Sequence, residues 1–269
     1  MTPAGDGPLS VVVLGDSTAF VDESGPQLPD AAHLYPNVLR DHLAVALDRR
    51  VSVTVSARPG QTVREAAHAV LKDQHLQFDL LAQADAVVIG LGSFDHAPAG
   101  VPAALEATLP YLWPTPVRRR ARAWSRAAYP RLVRVTGGRL RRTPATEFTR
   151  LFTQVLEQVR GLTWGRAAGV VLGPTSHRAA YYGHRHPRFP AAEAHQLRLA
   201  GEYGFATVPV WPHVLAHLEH LNVDGIHWPR PTHAAVGRAA ADALLPQLRG
   251  DAPRIGLPRT AQGITPPSR

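Results

Sequence analysis

Seven consecutive residues, Leu9-Ser-Val-Val-Val-Leu-Gly15, carry one polar side chain between them. A strand turns alternate residues to opposite faces, so an unbroken apolar run suits a strand covered on both faces. That is the strand of a parallel sheet wrapped by helices. The segments that follow keep the matching rhythm. Pro36 fits the first turn of a helix with an apolar face at Val38, Leu39, Leu43 and Leu47. Val51–Ala57 is a second strand, β-branched and alternating with Ser and Thr, with Gly60 in the turn after it. Thr62 followed by Glu65 is a capping-box pattern that opens a helix. Further strands are expected at Ala84–Gly90, Ala167–Leu172 and Thr207–Val210. Helices are expected from Pro144 to about Leu162, over Pro190–Tyr203 and over Thr232–Leu248. Alternation of this kind predicts a three-layer α/β/α sandwich on a parallel sheet of about five strands. One α/β domain is expected over 1–250, interrupted by an insertion at about 97–143 and followed by a flexible tail over 251–269. Within the insertion, Pro110, Pro114, Pro116 and Pro130 are read as punctuating short helical pieces.

Composition removes several chemistries. The 269 residues include no cysteine, which excludes thiol catalysis, Cys-ligated zinc and iron–sulfur clusters. With 45% hydrophobic residues the chain can bury a core. No apolar run approaches the roughly 20 residues that span a bilayer. The first residues show neither a basic nor a long apolar region, so no signal peptide is expected and the location expected is cytoplasmic. The formal charge is +8, and Lys72 is the single lysine among 29 cations. An arginine-for-lysine bias fits a GC-rich genome; clustering does not follow from it. Val117 to Arg142 holds ten arginines and no acid, interleaved with Trp124 and Tyr129.

Parallel α/β sheets place their sites beyond the carboxyl ends of the strands. Three loops there carry chemistry: Gly15-Asp16-Ser17, Arg58-Pro59-Gly60-Gln61-Thr62 and Asp224-Gly225-Ile226-His227. A serine hydroxyl is a weak nucleophile until a base takes its proton. His227 has the chemistry of that base, and Asp224 that of the group orienting the imidazole. Each element alone is as well explained by a turn or a surface histidine; their conjunction carries the reading.

In these blocks the chain resembles the serine esterases and acyltransferases of the Gly-Asp-Ser-(Leu), or SGNH, hydrolase family. The resemblance implies a flavodoxin-like sheet, Ser17 as nucleophile, His227 as base and Asp224 as orienting acid. It also implies an oxyanion hole built from the backbone N–H groups of Ser17 and Gly60. The family's third block, usually Gly-x-Asn-Asp with a donating Asn, reads Gly92-Ser93-Phe94-Asp95 here. Phe94 cannot donate, and Ser93 is the candidate substitute. A similar change marks an actinobacterial branch that includes diglucosylglycerate octanoyltransferases of methylglucose lipopolysaccharide synthesis. The similarity extends to Gly25-Pro26, Tyr35-Pro36-Asn37, Arg58 to Thr62, the Trp/Arg-rich Pro110–Pro130 segment and Asp224 to Trp228. It implies transfer of an octanoyl group from acyl-CoA to a hydroxyl of diglucosylglycerate or a similar glucosylglycerate. A carbohydrate or lipid esterase is the alternative.

Substrate contacts are expected from Asp95, Trp113, Arg118, Trp124 and Trp228, with aromatic rings over acyl or sugar groups and arginine on phosphate or carboxylate. A solvated arginine face is the competing reading of Arg118, Arg119, Arg120 and Arg122. Asp95 is also read as shaping its own loop through backbone hydrogen bonds. No bound cofactor and no metal are expected. His177, His184 and His186 lack an acidic ligand at useful spacing, and His233 is assigned a structural role. Nucleic-acid binding is not expected, because the charge sits in one insertion and no recognised motif accompanies it. The Trp/Arg segment would suit an anionic membrane surface, a contact that is not expected.

Overall fold

The computed structural model describes residues 7–102, 108, 111–176, 178–179, 182, 186–221 and 225–256, with Arg122 and Arg126 described by their backbone alone. β1 (Leu9–Gly15) runs into one 3-10 turn (Ser17–Ala19) and a two-stranded hairpin, β2 (Val21–Asp22) and β3 (Gly25–Pro26). There follow α1 (Tyr35–Leu47), β4 (Val51–Ala57), α2 (Val63–Lys72), β5 (Ala86–Gly90), the single turn α3 (Ser93–His96) and α4 (Thr115–Val135). The chain continues through α5 (Ala145–Leu162), β6 (Ala168–Leu172), α6 (Phe189–Glu202), β7 (Ala206–Val208), the short α7 (Trp211–Leu215) and α8 (Arg230–Arg249).

The five-stranded sheet has the order β4-β1-β5-β6-β7, parallel at every pairing. Counted along the chain this is 2-1-3-4-5, the flavodoxin-like order, whose direction reverses beside β1. The alternation inside β1 divides the core. Val11 and Val13 pack with Leu39 and Leu43 of α1 and Val236, Ala240 and Leu244 of α8. Val12 and Leu14 face Val63 and Val70 of α2 and Phe148, Phe152 and Val155 of α5. β4 lies at the sheet edge, which explains why it alternates with Ser and Thr while β1, β5 and β6 do not. Thr62 and Glu65 form the capping box at the start of α2, with Thr62 N–H donating to Glu65 Oε2 at 2.7 Å. Among the described residues, no helix is long and apolar enough to cross a membrane.

Two expectations change. The insertion contains one 21-residue helix, α4, where short pieces were expected. Pro116 occupies its first turn, where a missing N–H costs nothing. Pro130 lies inside, and buried neighbours hold the helix through it. Tyr129 donates from its hydroxyl to Pro98 O at 3.1 Å, and Val133 is fully buried. Second, the chain does not leave the body at Gly250. Ile255 is buried among Phe205 and the α2–α5 cluster, and its N–H donates to Ala167 O. Residues 257–269 lie outside the described residues. The insertion closes on itself: Ala99 N–H donates to Leu140 O, Arg142 N–H to Ala97 O and Thr143 N–H to Asp95 O.

His233 fixes how α8 meets α1. Its Nδ1 accepts the N–H of Tyr35, an unpaired donor of the first turn of α1, at 3.3 Å. Its Nε2–H then donates to Val21 O at 3.2 Å. The Tyr35 N–H demands a lone pair on Nδ1 and hence the neutral ring, and burial lowers its pKa to about 4. The unfolded imidazole takes its proton near pH 6.5, so acid favours the unfolded chain first. His233 should therefore cost stability progressively from about pH 6.5 down to about pH 4, by roughly 3 kcal/mol in total. Urea unfolding of wild type and His233→Gln should show the wild type's advantage shrinking by that amount across the interval. A difference that stays constant with pH would contradict the neutral, bridging histidine.

Candidate active site

β1 ends at Gly15, and the chain turns at once. Asp16 caps the turn: its Oδ1 accepts the Thr18 N–H at 2.9 Å and the Thr18 hydroxyl at 2.7 Å. Burial pushes the Asp16 carboxyl above the usual range, against the pull of those two bonds. The capped turn presents Ser17 at the switch point of the sheet. His227 arrives from the loop before α8, and its Nε2 lies 2.9 Å from Ser17 Oγ. For the hydroxyl to donate to Nε2, the imidazole must carry its proton on Nδ1. Asp224, the expected partner of that proton, lies outside the described residues.

The residue after His227 sets its position. Trp228 is 3% exposed and packs against both Tyr35 and His233, with ring centroids 6.0 and 5.4 Å away. Its backbone bridges Asp22 of β2. This corrects Trp228 as a substrate contact: the indole is core and braces the loop from below.

Gly60 and Phe94 form the opposite wall. Gly60 adopts φ +62, and a Cβ there would come within 3.2 Å of the Phe94 ring. The Arg142 guanidinium stands over that ring, 4.2 Å from its centroid. Phe94 is thus held beside Gly60, where the family's Asn is expected, and offers an apolar face. Gly92 before it takes φ +104, and a Cβ there would collide with Gln196 Oε1. Gln196 needs the space: its Nε2 donates to Leu91 O and Leu172 O, tying the ends of β5 and β6 together. Ser93 lines the same cavity as Ser17, and its Oγ accepts the Thr175 N–H at 3.1 Å.

Ser17 and His227 open onto a cavity of about 430 Å³. Its walls are Phe20, Val21, Pro26, Pro59, Phe94 and Ile226, with Gly60 and Ser93 at the same rim. No hydrophobic periodicity marks these wall residues, which come from the segment 20–26, the loop around Gly60, the turn α3 and the loop before α8. Pro26, Pro59, Phe94 and Ile226 had drawn notice as members of the blocks that carry the resemblance, and Phe20 and Val21 had not.

The remaining expected contacts lie elsewhere. Trp113 and Trp124 are 83% and 68% exposed, Arg118 is half-buried, and none lines the cavity. Asp95 is fully buried and points away from substrate space. Its carboxylate accepts the Val63 N–H at 2.8 Å and the Thr143 hydroxyl at 2.5 Å. It joins the start of α2, just after Gly60, to the end of the insertion. Burial raises its pKa to about 6. Asp95→Ala should leave the Val63 N–H without a buried acceptor, costing about 1–3 kcal/mol. Asp95→Asn, which can accept from one partner and donate to the other, should retain most of that stability and activity. Equal losses in thermal unfolding for the two variants would contradict this role. Among the described residues no group of three His, Asp or Glu side chains could hold a metal ion. His177 and His184 lie outside the described residues, and His186 lines a second cavity.

A serine hydroxyl bonded to an imidazole, at the edge of an apolar cavity, is equipped to form and discharge an acyl ester. Comparison with known proteins agrees with that chemistry. The chain is 26% identical to the diglucosylglycerate octanoyltransferase of Mycobacterium tuberculosis over 240 residues, 87% of this chain and 92% of that protein. Among solved structures, the lipase/acylhydrolase from Enterococcus faecalis superposes with a TM-score of 0.56 at 13% identity, over 91% of this chain and 98% of that one. TesA superposes with a TM-score of 0.55 at 15% identity, over 88% and 98%. Residues 13–235 match the GDSL-like lipase/acylhydrolase family, a span that runs from β1 into α8 and takes in Ser17, Gly60 and His227, and the chain belongs to that family.

Proposed function

We propose that the chain is a serine-dependent acyltransferase that moves an octanoyl group from acyl-CoA to a hydroxyl of diglucosylglycerate or a similar glucosylglycerate. The observation that carries this reading is the Ser17–His227 pair, 2.9 Å apart, on the rim of an apolar cavity. The mycobacterial relative supports the choice of acyl group and acceptor. Ser17 Oγ attacks the thioester carbonyl while His227 Nε2 takes its proton. The tetrahedral intermediate collapses, the C–S bond breaks, and the imidazolium returns the proton to the departing thiolate. The acceptor hydroxyl then gives its proton to His227 and attacks the acyl-serine. The new sugar ester leaves as Ser17 regains a proton.

The oxyanion falls to the backbone N–H groups of Ser17 and Gly60, with no side-chain amide at position 94. Loss of one such donor lowers rates by about 100-fold or more in related chemistry. The apolar walls compensate in kind, because a water-poor site strengthens the remaining dipoles. They also favour a bound alcohol over water in the second step.

Mass spectrometry of the protein incubated with octanoyl-CoA, with and without diglucosylglycerate, tests the reading. An octanoylated sugar formed by wild type and not by Ser17→Ala is the expected result. Free octanoate with no sugar ester would replace the transferase by an esterase.

A further inference from the structure

A second cavity, of about 290 Å³, lies beside the acyl site and is lined by Gly137, Ser176, Arg178, His186 and Pro187. Two loops connect it to catalysis. Ser176 follows Thr175, whose N–H binds Ser93 on the wall of the acyl cavity. Arg178 N–H donates to Gly225 O, two residues before His227. The lining chemistry is one-sided. It offers a guanidinium, an imidazole and a hydroxyl, and none of the described lining residues is acidic.

More positive charge gathers around it. Arg188 follows Pro187, and Arg141 lies close enough that burial, then the charge of Arg188, lowers its pKa. Two guanidiniums held near one another raise the local potential without stabilising the fold. The guanidinium of Arg178 is held over the Trp211 ring, 5.4 Å from its centroid. A stacked guanidinium is oriented before any ligand arrives, and its planar fork matches a phosphate.

We propose that this cavity binds a phosphate group, and that the phosphate belongs to the acyl donor. The second clause rests on the acyl-CoA reading above; the first does not. The donor would span both cavities, with its acyl chain against Phe20 and Phe94 and a phosphate against Arg178 and His186. The arginines expected to meet phosphate on α4 then yield that part to residues of the β6–α6 loop.

Calorimetric titration of the full chain with coenzyme A, with pantetheine (which lacks phosphate) and with inorganic phosphate tests this. Coenzyme A should bind at least about tenfold tighter than pantetheine, and inorganic phosphate should compete with it. Arg178→Gln should weaken coenzyme A about tenfold and leave pantetheine unchanged. Arg188→Gln, at an exposed position, should weaken coenzyme A in the same sense if Arg178→Gln proves poorly folded. Equal affinities for coenzyme A and pantetheine overturn the proposal, as does coenzyme A binding unaltered in both variants. Phosphate binding that coenzyme A does not displace also overturns it, since the phosphate's source is then not the donor. Phosphate-dependent coenzyme A binding without any acyl product would sink the transferase reading and leave this site standing.

Discussion

Ser17→Ala should lower kcat for octanoyl transfer by about 10⁵-fold or more, leaving thermal unfolding within a degree or so of wild type. Without Oγ no acyl-serine forms, and what remains is binding and whatever the backbone donors contribute. His227→Ala should approach the same loss, because an unactivated serine hydroxyl attacks slowly. The double variant should be scarcely worse than either single one, since the two groups act as a unit. Intact-protein mass spectrometry after a pulse of octanoyl-CoA should show the acyl adduct on wild type and not on Ser17→Ala. Turnover by Ser17→Ala within tenfold of wild type would remove the serine from the mechanism.

Trp228→Ala should be among the most destabilising substitutions, by roughly 3–5 kcal/mol, or about 10 °C in Tm for a chain of this size. The indole is 3% exposed and packs against the stacked rings of Tyr35 and His233, so its removal leaves a cavity beside them. Because it adjoins His227, activity should fall even at temperatures where the variant stays folded. Trp228→Phe, which keeps most of the ring, should recover the larger share of both. A loss under about 1 kcal/mol in urea unfolding would show that the loop is braced by other contacts.

The contrast between His227 and Trp228 shows what a sequence conveys and what it withholds. Ser17, Gly60 and His227 were legible because each belongs to a short motif, the first two at strand ends and the third just before α8, and buried parallel strands announce themselves as apolar runs. Trp228 was misjudged as a substrate contact because it lies in a loop. A loop has no periodicity to say which side chains point inward, and an aromatic residue beside a catalytic one suits either role. The fate of α4 has a related cause. Pro130 predicts a break, and nothing local foretells that Tyr129 and Val133 anchor the helix across it. The cavity wall was half hidden for a third reason: Pro26, Pro59, Phe94 and Ile226 belong to recognisable blocks, but that they and Phe20 form one wall emerges only from the tertiary fold. Asp95 lay between these cases: it was read as bonding backbone within its own loop, and the bonds it makes instead reach Val63 and Thr143, far along the chain.

The paired stem at 97–99 and 140–143 has a consequence for how such a chain can change over time. The segment it encloses departs from and returns to one place, so its length is uncoupled from the register of the sheet. Residues between the two halves of the stem can be lengthened, trimmed or exchanged as a cassette while Asp95 and Thr143 keep the junction closed. A lineage can therefore remodel the surface beside the acyl cavity by splicing, provided the new segment keeps the side that Tyr129 and Val133 now present to Tyr182 and Ile226.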